Sequence, residues 1–231
     1  MILPHLSRRH ADSDAENYSH TVDWAMRMAL LLGVPAGLGL ILLAGPLTAT
    51  IFQYGEFTAF DTRMAAISLS AMAVGVPAFM LSKVLMPAFY ARQDTKTPMR
   101  AAIITVVANV LLTIAFTTPL WLWGIEGAHG GIAAASGLAG IVNAWLLWRY
   151  LRRGGLLEPQ QGWGRFVLQL GVACVVMTAV VLAGRYWVGD WTGIDSVARR
   201  VSWLAAVIAA GAIAYGLTLL ALGLRPRHLR H

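Results

Sequence analysis

Six long stretches almost free of charge dominate this chain, at 28–53, 64–90, 101–125, 127–148, 166–183 and 201–224. Only the second is interrupted, by Lys83. Crossing a bilayer as a helix takes about 20 consecutive apolar residues. Lipid offers no water to bond stray backbone groups, so a spanning segment of this kind must be helical. The pattern therefore predicts an all-α, polytopic integral membrane protein with six transmembrane helices. Composition agrees: 58% of residues are hydrophobic and 13% charged, against about 25% charged in soluble domains.

The chain is basic, with a sequence pI of 10.2, but its cations sort by side rather than forming a nucleic-acid patch. Arg8, Arg9 and Arg27 precede the first span. Arg92, Lys96 and Arg100 follow the second, Arg149, Arg152, Arg153 and Arg165 follow the fourth, and Arg225, Arg227 and Arg230 follow the sixth. The alternate loops hold only Arg63, Arg185, Arg199 and Arg200. Lys and Arg near span ends stay cytoplasmic, which predicts both termini in the cytoplasm and no nucleic-acid partner. The nine tryptophans fall near span ends or in adjoining loops, where indoles prefer the headgroup level; Trp121, Trp123, Trp187 and Trp191 are assigned to the outer side. The opening MILPHLSRRHADSDAEN has too short an apolar part for a signal peptide.

Little in the sequence points to bond-making chemistry. None of the 11 acidic residues falls in the six stretches, so a membrane hydrolase lacks its acid–base pair. The lone Cys174 supports neither a disulfide framework nor a thiolate metal site. His5, His10, His20 and His129 show no ligand spacing and read as solvated surface residues. No catalytic residue and no cofactor is expected. Lys83 is the candidate substrate-binding residue, because a cation at membrane depth either snorkels or lines a polar cavity for an anion. Pro35 and Pro77 are candidate gating kinks, while the Gly33/Gly37 pair permits close helix contact. Asn109 and Asn143 are expected to bond neighbouring helices.

The Gly-, Pro- and Gln-rich connection at 149–165 reads as a boundary. It divides the chain into a cytoplasmic segment at 1–28, four spans at 29–148, the linker, two terminal spans at 166–224 and a cytoplasmic tail at 225–231.

Several blocks carry a family resemblance: LPHLSRR, YSHTVDWAMRMALLLGVPAGLGLILLAGPLTATIFQYGEF, KVLMPAFYARQDTKTP and the GW of QQGWGRF. Over nearly the whole chain they resemble the lipid II flippase family, MurJ, also called MviN. The resemblance implies a fourteen-helix flippase of the multidrug/oligosaccharidyl-lipid/polysaccharide exporter superfamily, with two six-helix lobes around a central cavity and two appended helices. This chain would begin at the last turn of the eighth helix and supply helices nine to fourteen. The last two would form a groove for a lipid tail. Lys83 matches the lysine of the family's KVL motif and would line the head-group cavity; the family's cluster of cavity arginines has no counterpart here. Asp94 matches the aspartate near which some members bind sodium. The other positions hold Tyr90 and Val110, poor oxygen ligands for a hard cation, so no metal is expected.

The implied activity is translocation of lipid II across the bacterial inner membrane by alternating access, without catalysis. The implied partners are lipid II, membrane lipids and cell-wall synthesis proteins. Two other readings stay open: a drug or ion antiporter of the same superfamily, disfavoured by the carboxylate-free spans, and a truncated, non-transporting membrane fragment or scaffold.

Overall fold

The computed structural model describes residues 3–124, 128–155, 157, 160–194 and 196–223, with side chains from residue 18 onward. Arg8, Arg9, His5 and His10, and the tail with Arg225, Arg227 and Arg230, thus fall outside the described side chains. Among the described residues the chain forms eight α-helices: α1 (Leu3–Leu42), α2 (Ala44–Phe52), α3 (Ala59–Ala73), α4 (Val76–Tyr90), α5 (Lys96–Leu122), α6 (His129–Arg153), α7 (Trp163–Val188) and α8 (Val197–Ala221). Five are apolar over a membrane-crossing length, and α3 with α4 makes a sixth span bent by 42°. The six expected spans are all present and in order.

The first span differs most from expectation. The helix that carries it, α1, continues N-terminally beyond the charge-free run, through Arg27 and Asp23, without a break. The reason is a stripe at helical spacing: Tyr18, Val22 and Met26 face α4, with Val22 and Met26 buried beside Leu85, Ala88 and Phe89, and the Tyr18 hydroxyl donates to the Ala88 carbonyl. The run then breaks at Leu43, and α2 departs as a separate short helix. Asp23 lies on this continuation of α1, ahead of the charge-free run. It is buried and occupied: Arg27 Nε donates to it at 2.7 Å and Trp163 Nε1 at 2.7 Å.

Between α3 and α4 the chain bends where Pro77, near the start of α4, has no N–H for the preceding turn. The bend is held by glycines on both sides. A Cβ on Gly33 would lie 3.0 Å from Pro77 Cα, and one on Gly37 would lie 3.0 Å from the Ala73 carbonyl. On the α6 side, a Cβ on Gly75 would meet Gly137 Cα at 2.6 Å. Lipid tails are as apolar as leucine, so helices in a bilayer associate through such close packing rather than through the hydrophobic effect.

The FYARQDTKTP turn closes α4 onto α5. Asp94 N–H bonds the Phe89 carbonyl at 3.1 Å and Gln93 N–H bonds Tyr90 at 2.9 Å, the paired pattern of a Schellman C-cap. Gln93 occupies the left-handed position with φ 59°, which costs a side-chain-bearing residue about 1–2 kcal/mol. Gln93→Gly is therefore expected to raise the unfolding free energy by about 0.5–1 kcal/mol, after the larger entropy loss of glycine on folding. Thermal unfolding in detergent checks this, and a lowered midpoint contradicts it.

The α7–α8 hairpin is docked against the broken first span. Arg185 donates to the Leu42 carbonyl where α1 ends. Arg200 is 7% exposed and donates to the carbonyls of Ala49 at 3.1 Å, Gln53 at 3.4 Å, Thr192 at 3.3 Å and Ile194 at 2.6 Å. Arg185 thus satisfies the carbonyl that ends α1, a group with no intrahelical partner, while Arg200 adds a charged donor at the end of α2, where the Ala49 carbonyl also accepts the Gln53 N–H. Trp191 joins them as a buried residue, packed in a cluster with Leu43, Val181 and Leu204. Its indole is packed against protein, because the break at Leu43 opens an apolar seat for it.

Candidate functional site

Lys83 sits on α4 with its side chain exposed. At 100° per residue it shares a face with the exposed Pro87 and Tyr90 and lies opposite Leu81 and Leu85. Those two residues, with Ala78 and Pro77, face a cavity of about 550 Å³ between α1, α4 and α6. Lys83 is therefore not in the larger cavity; it stands on a face of α4 that no described element covers. In hydrocarbon an uncovered ammonium is expensive, and such residues face water-filled cavities or other helices.

One residue before it, Ser82 turns inward and is buried. Asn143 Nδ2 of α6 donates to Ser82 Oγ at 3.1 Å, and Thr105 Oγ1 of α5 donates to Asn143 Oδ1 at 3.2 Å. This three-helix polar bridge positions the α4 segment that carries Lys83. Asn143 thus bonds neighbouring helices as expected. Asn109 does not: its carbonyl accepts from Thr113 Oγ1 on the same helix at 3.3 Å. Asn109 is half-buried on the face of α5 that packs against α6, but its hydrogen bond stays within the helix. The bridge was only half visible in sequence, because Ser82 and Thr105 look like ordinary helix residues until three helices converge.

The other candidates are dispersed. Pro77 lies at the α3–α4 bend, whereas α1 runs through Pro35 uninterrupted to Leu42. Asp94 accepts the Thr97 N–H at 3.0 Å in the first turn of α5. Hydrogen bonding from Thr97, aided by nearby Arg100, holds its carboxyl below the usual carboxylate range. Its geometry is that of a helix cap, and among the described residues no group of three or more His, Cys, Asp and Glu side chains converges on a common point. His129 is exposed, yet its Nε2 is 3.1 Å from the Met64 carbonyl, so it ties α6 to α3 rather than standing free in solvent.

Comparison with known proteins decides the family. The model of lipid II flippase MurJ matches residues 1–221. The chain belongs to the MurJ family. It is 38% identical to a probable lipid II flippase MurJ of Vibrio cholerae over 230 residues, which are 100% of this chain and 42% of that protein. It is 35% identical over 235 residues to the lipid II flippase MurJ of Burkholderia cenocepacia, again 100% of this chain and 43% of the relative. With a probable lipid II flippase MurJ of Haemophilus influenzae the identity is 36% over 238 residues, 99% of this chain and 44% of the relative. The chain thus spans less than half the length of these MurJ relatives. MurJ membership agrees with the helices: this is a multi-pass, all-helical membrane protein.

Proposed function

We propose that this chain is the C-terminal part of a lipid II flippase, translocating the lipid-linked peptidoglycan precursor across the bacterial inner membrane by alternating access. The observation that carries the reading is Lys83, a cation at membrane depth on a helix face left uncovered in a member of the MurJ family. Moving a pyrophosphate–sugar head through hydrocarbon is prohibitive unless a polar cavity replaces water. Lys83 would contribute to that cavity by pairing with the anionic head, a charge-assisted bond stronger than a neutral one. The lipid tail stays in apolar surroundings, for which α7 and α8 supply a surface. No bond is made or broken, so the activity is transport rather than catalysis, and no cofactor takes part.

Pro77 and the glycine-held bend of the second span would serve as the point about which this lobe rocks. With cytoplasmic arginines retained on their side of the membrane, both ends of the chain face the cytoplasm. The antiporter alternative needs a carboxylate free to carry a proton; the six charge-free runs hold none, and Asp23, buried on α1 ahead of the first run, is already bonded to Arg27 and Trp163.

In a full-length relative, replacing the lysine equivalent to Lys83 by alanine is expected to lower the rate of lipid II flipping by about tenfold or more, the worth of one charge-assisted hydrogen bond. Arginine at the same position should keep most of the rate. Unchanged flipping in the alanine variant, with normal membrane insertion, removes Lys83 from the cavity. The 231-residue chain alone is expected to insert without transporting. Rescue of a flippase-depleted cell by this chain alone overturns the assignment of a partial machine.

A further inference from the structure

The last turns of α6 carry a feature that transport through Lys83 does not use. Trp145, Trp148, Arg149 and Arg152 recur at spacings of three and four residues and so form one stripe, with Arg153 beside it. The Arg149 guanidinium lies 4.8 Å from the Trp145 ring centre, and that of Arg152 lies 5.3 Å from Trp148. Stacking of this kind uses the flat face of the guanidinium and leaves its N–H edge free to donate. Among the described residues the ion pair is Asp23–Arg27, and no carboxylate pairs with Arg149, Arg152 or Arg153. These three arginines and two tryptophans enclose a cavity of about 350 Å³.

Beside that basic cavity lies an apolar one. The 550 Å³ cavity between α1, α4 and α6 shares Trp145, Trp148 and Arg152 as walls and is otherwise lined mainly by apolar side chains such as Leu30, Leu81 and Ile141. Ile141 to Arg152 covers about 16 Å along the α6 axis at 1.5 Å per residue, enough for a long part of an acyl chain. Asp23 is the carboxylate on its wall, and its charge is already offset by Arg27. A helix C-terminus alone accounts for cations in the last turn; it does not account for an apolar slot opening beneath them.

We infer that this end of α6 is a binding site for an anionic phospholipid, its phosphate held by Arg149, Arg152 and Arg153 and one acyl chain seated in the apolar cavity. The site is on the opposite face of α4 from Lys83, so it stands or falls independently of the transport reading. An anionic occupant follows from three cations that no carboxylate pairs with among the described residues, and a lipid rather than a free anion follows from the apolar cavity that shares their walls.

The test uses the intact chain in phosphatidylcholine nanodiscs containing a minor fraction of brominated phosphatidylglycerol or brominated phosphatidylcholine, read by tryptophan quenching. Brominated phosphatidylglycerol is expected to be enriched on the order of tenfold beside Trp145 and Trp148, giving excess quenching over the zwitterionic lipid. The excess should vanish in Arg149→Gln/Arg152→Gln/Arg153→Gln and in Trp145→Phe/Trp148→Phe, and persist when the three arginines become lysine. Added inorganic phosphate should leave it in place. Equal quenching by the two lipids, an excess that survives the glutamine variant, or its loss on adding phosphate each overturns the proposal; circular dichroism confirms that the variants remain helical.

Discussion

Arg200→Met is expected to lower the unfolding free energy by about 2–4 kcal/mol, because it removes a buried charged donor that four carbonyls share. The carbonyls of Ala49 and Gln53 lie at the end of α2, while those of Thr192 and Ile194 lie in the loop before α8. One guanidinium therefore fastens the terminal hairpin to the first span. Lysine should recover little of the loss, since its compact ammonium lacks the planar fork that reaches several acceptors. Arg199 provides the control: it is exposed, and surface changes of this sort stay within about 0.5 kcal/mol. Thermal unfolding of the three variants in detergent reads the difference. Equal midpoints for Arg199→Met and Arg200→Met contradict the docking role.

A second large effect is expected at the bend of the second span. Gly75 has ordinary helical angles, φ −78° and ψ −13°, so conformational freedom is not what requires glycine there. Space is. A Cβ would sit 2.6 Å from Gly137 Cα and 2.7 Å from its carbonyl oxygen, and backbone atoms cannot swing away as a side-chain tip can. Gly75→Ala is expected to cost about 3 kcal/mol, the upper part of the range for overpacking, by separating the α3–α4 bend from α6. Gly39→Ala is the matched control in α1, where an added Cβ meets nothing within 4 Å; helix propensity there favours alanine by about 1 kcal/mol. A Gly75→Ala protein as stable as the parent removes the close crossing. In a full-length relative, the same variant tests whether this crossing also matters for rocking.

These contacts show where sequence reasoning reached and where it stopped. The six spans were legible because hydrophobic runs of bilayer length seldom occur outside a membrane. The continuation of α1 ahead of the first run was not, since Asp23 and Arg27 interrupt the apolar pattern until they are seen to pair at 2.7 Å. The stripe Tyr18, Val22 and Met26 was the available signal. Positive-inside counting treated Arg185 and Arg200 as residual outer charges, yet both are bonded to helix-end carbonyls. The partners at Leu42, Ala49 and Gln53 are more than 140 residues away in the chain, so no local pattern reveals them. Trp191 was read as an interfacial indole for the same reason: its buried seat exists only where the α1–α2 break meets α7 and α8.

At the candidate site, Lys83 was legible because a lone charge in an apolar run stands out. Its setting was not. That α4 turns Ser82 inward to Asn143 and Thr105 while presenting Lys83 to an uncovered face depends on helix rotation, which hydropathy does not determine. The arginine–tryptophan stripe on α6 was counted only as an orientation signal. Its association with an apolar cavity arises from the packing of α1, α4 and α6 around it.

The threading of six helices, with the 154–162 connection inside and the 189–196 loop outside, is tested most directly by labelling single cysteines in intact cells with a membrane-impermeant maleimide. Gln161→Cys and Ser196→Cys place thiols at exposed positions at the two ends, and the native Cys174 is buried. Modification of the residue 196 thiol from outside, with the residue 161 thiol protected until the membrane is opened, is the expected result; labelling of residue 161 in sealed cells contradicts the topology and the flippase reading built on it.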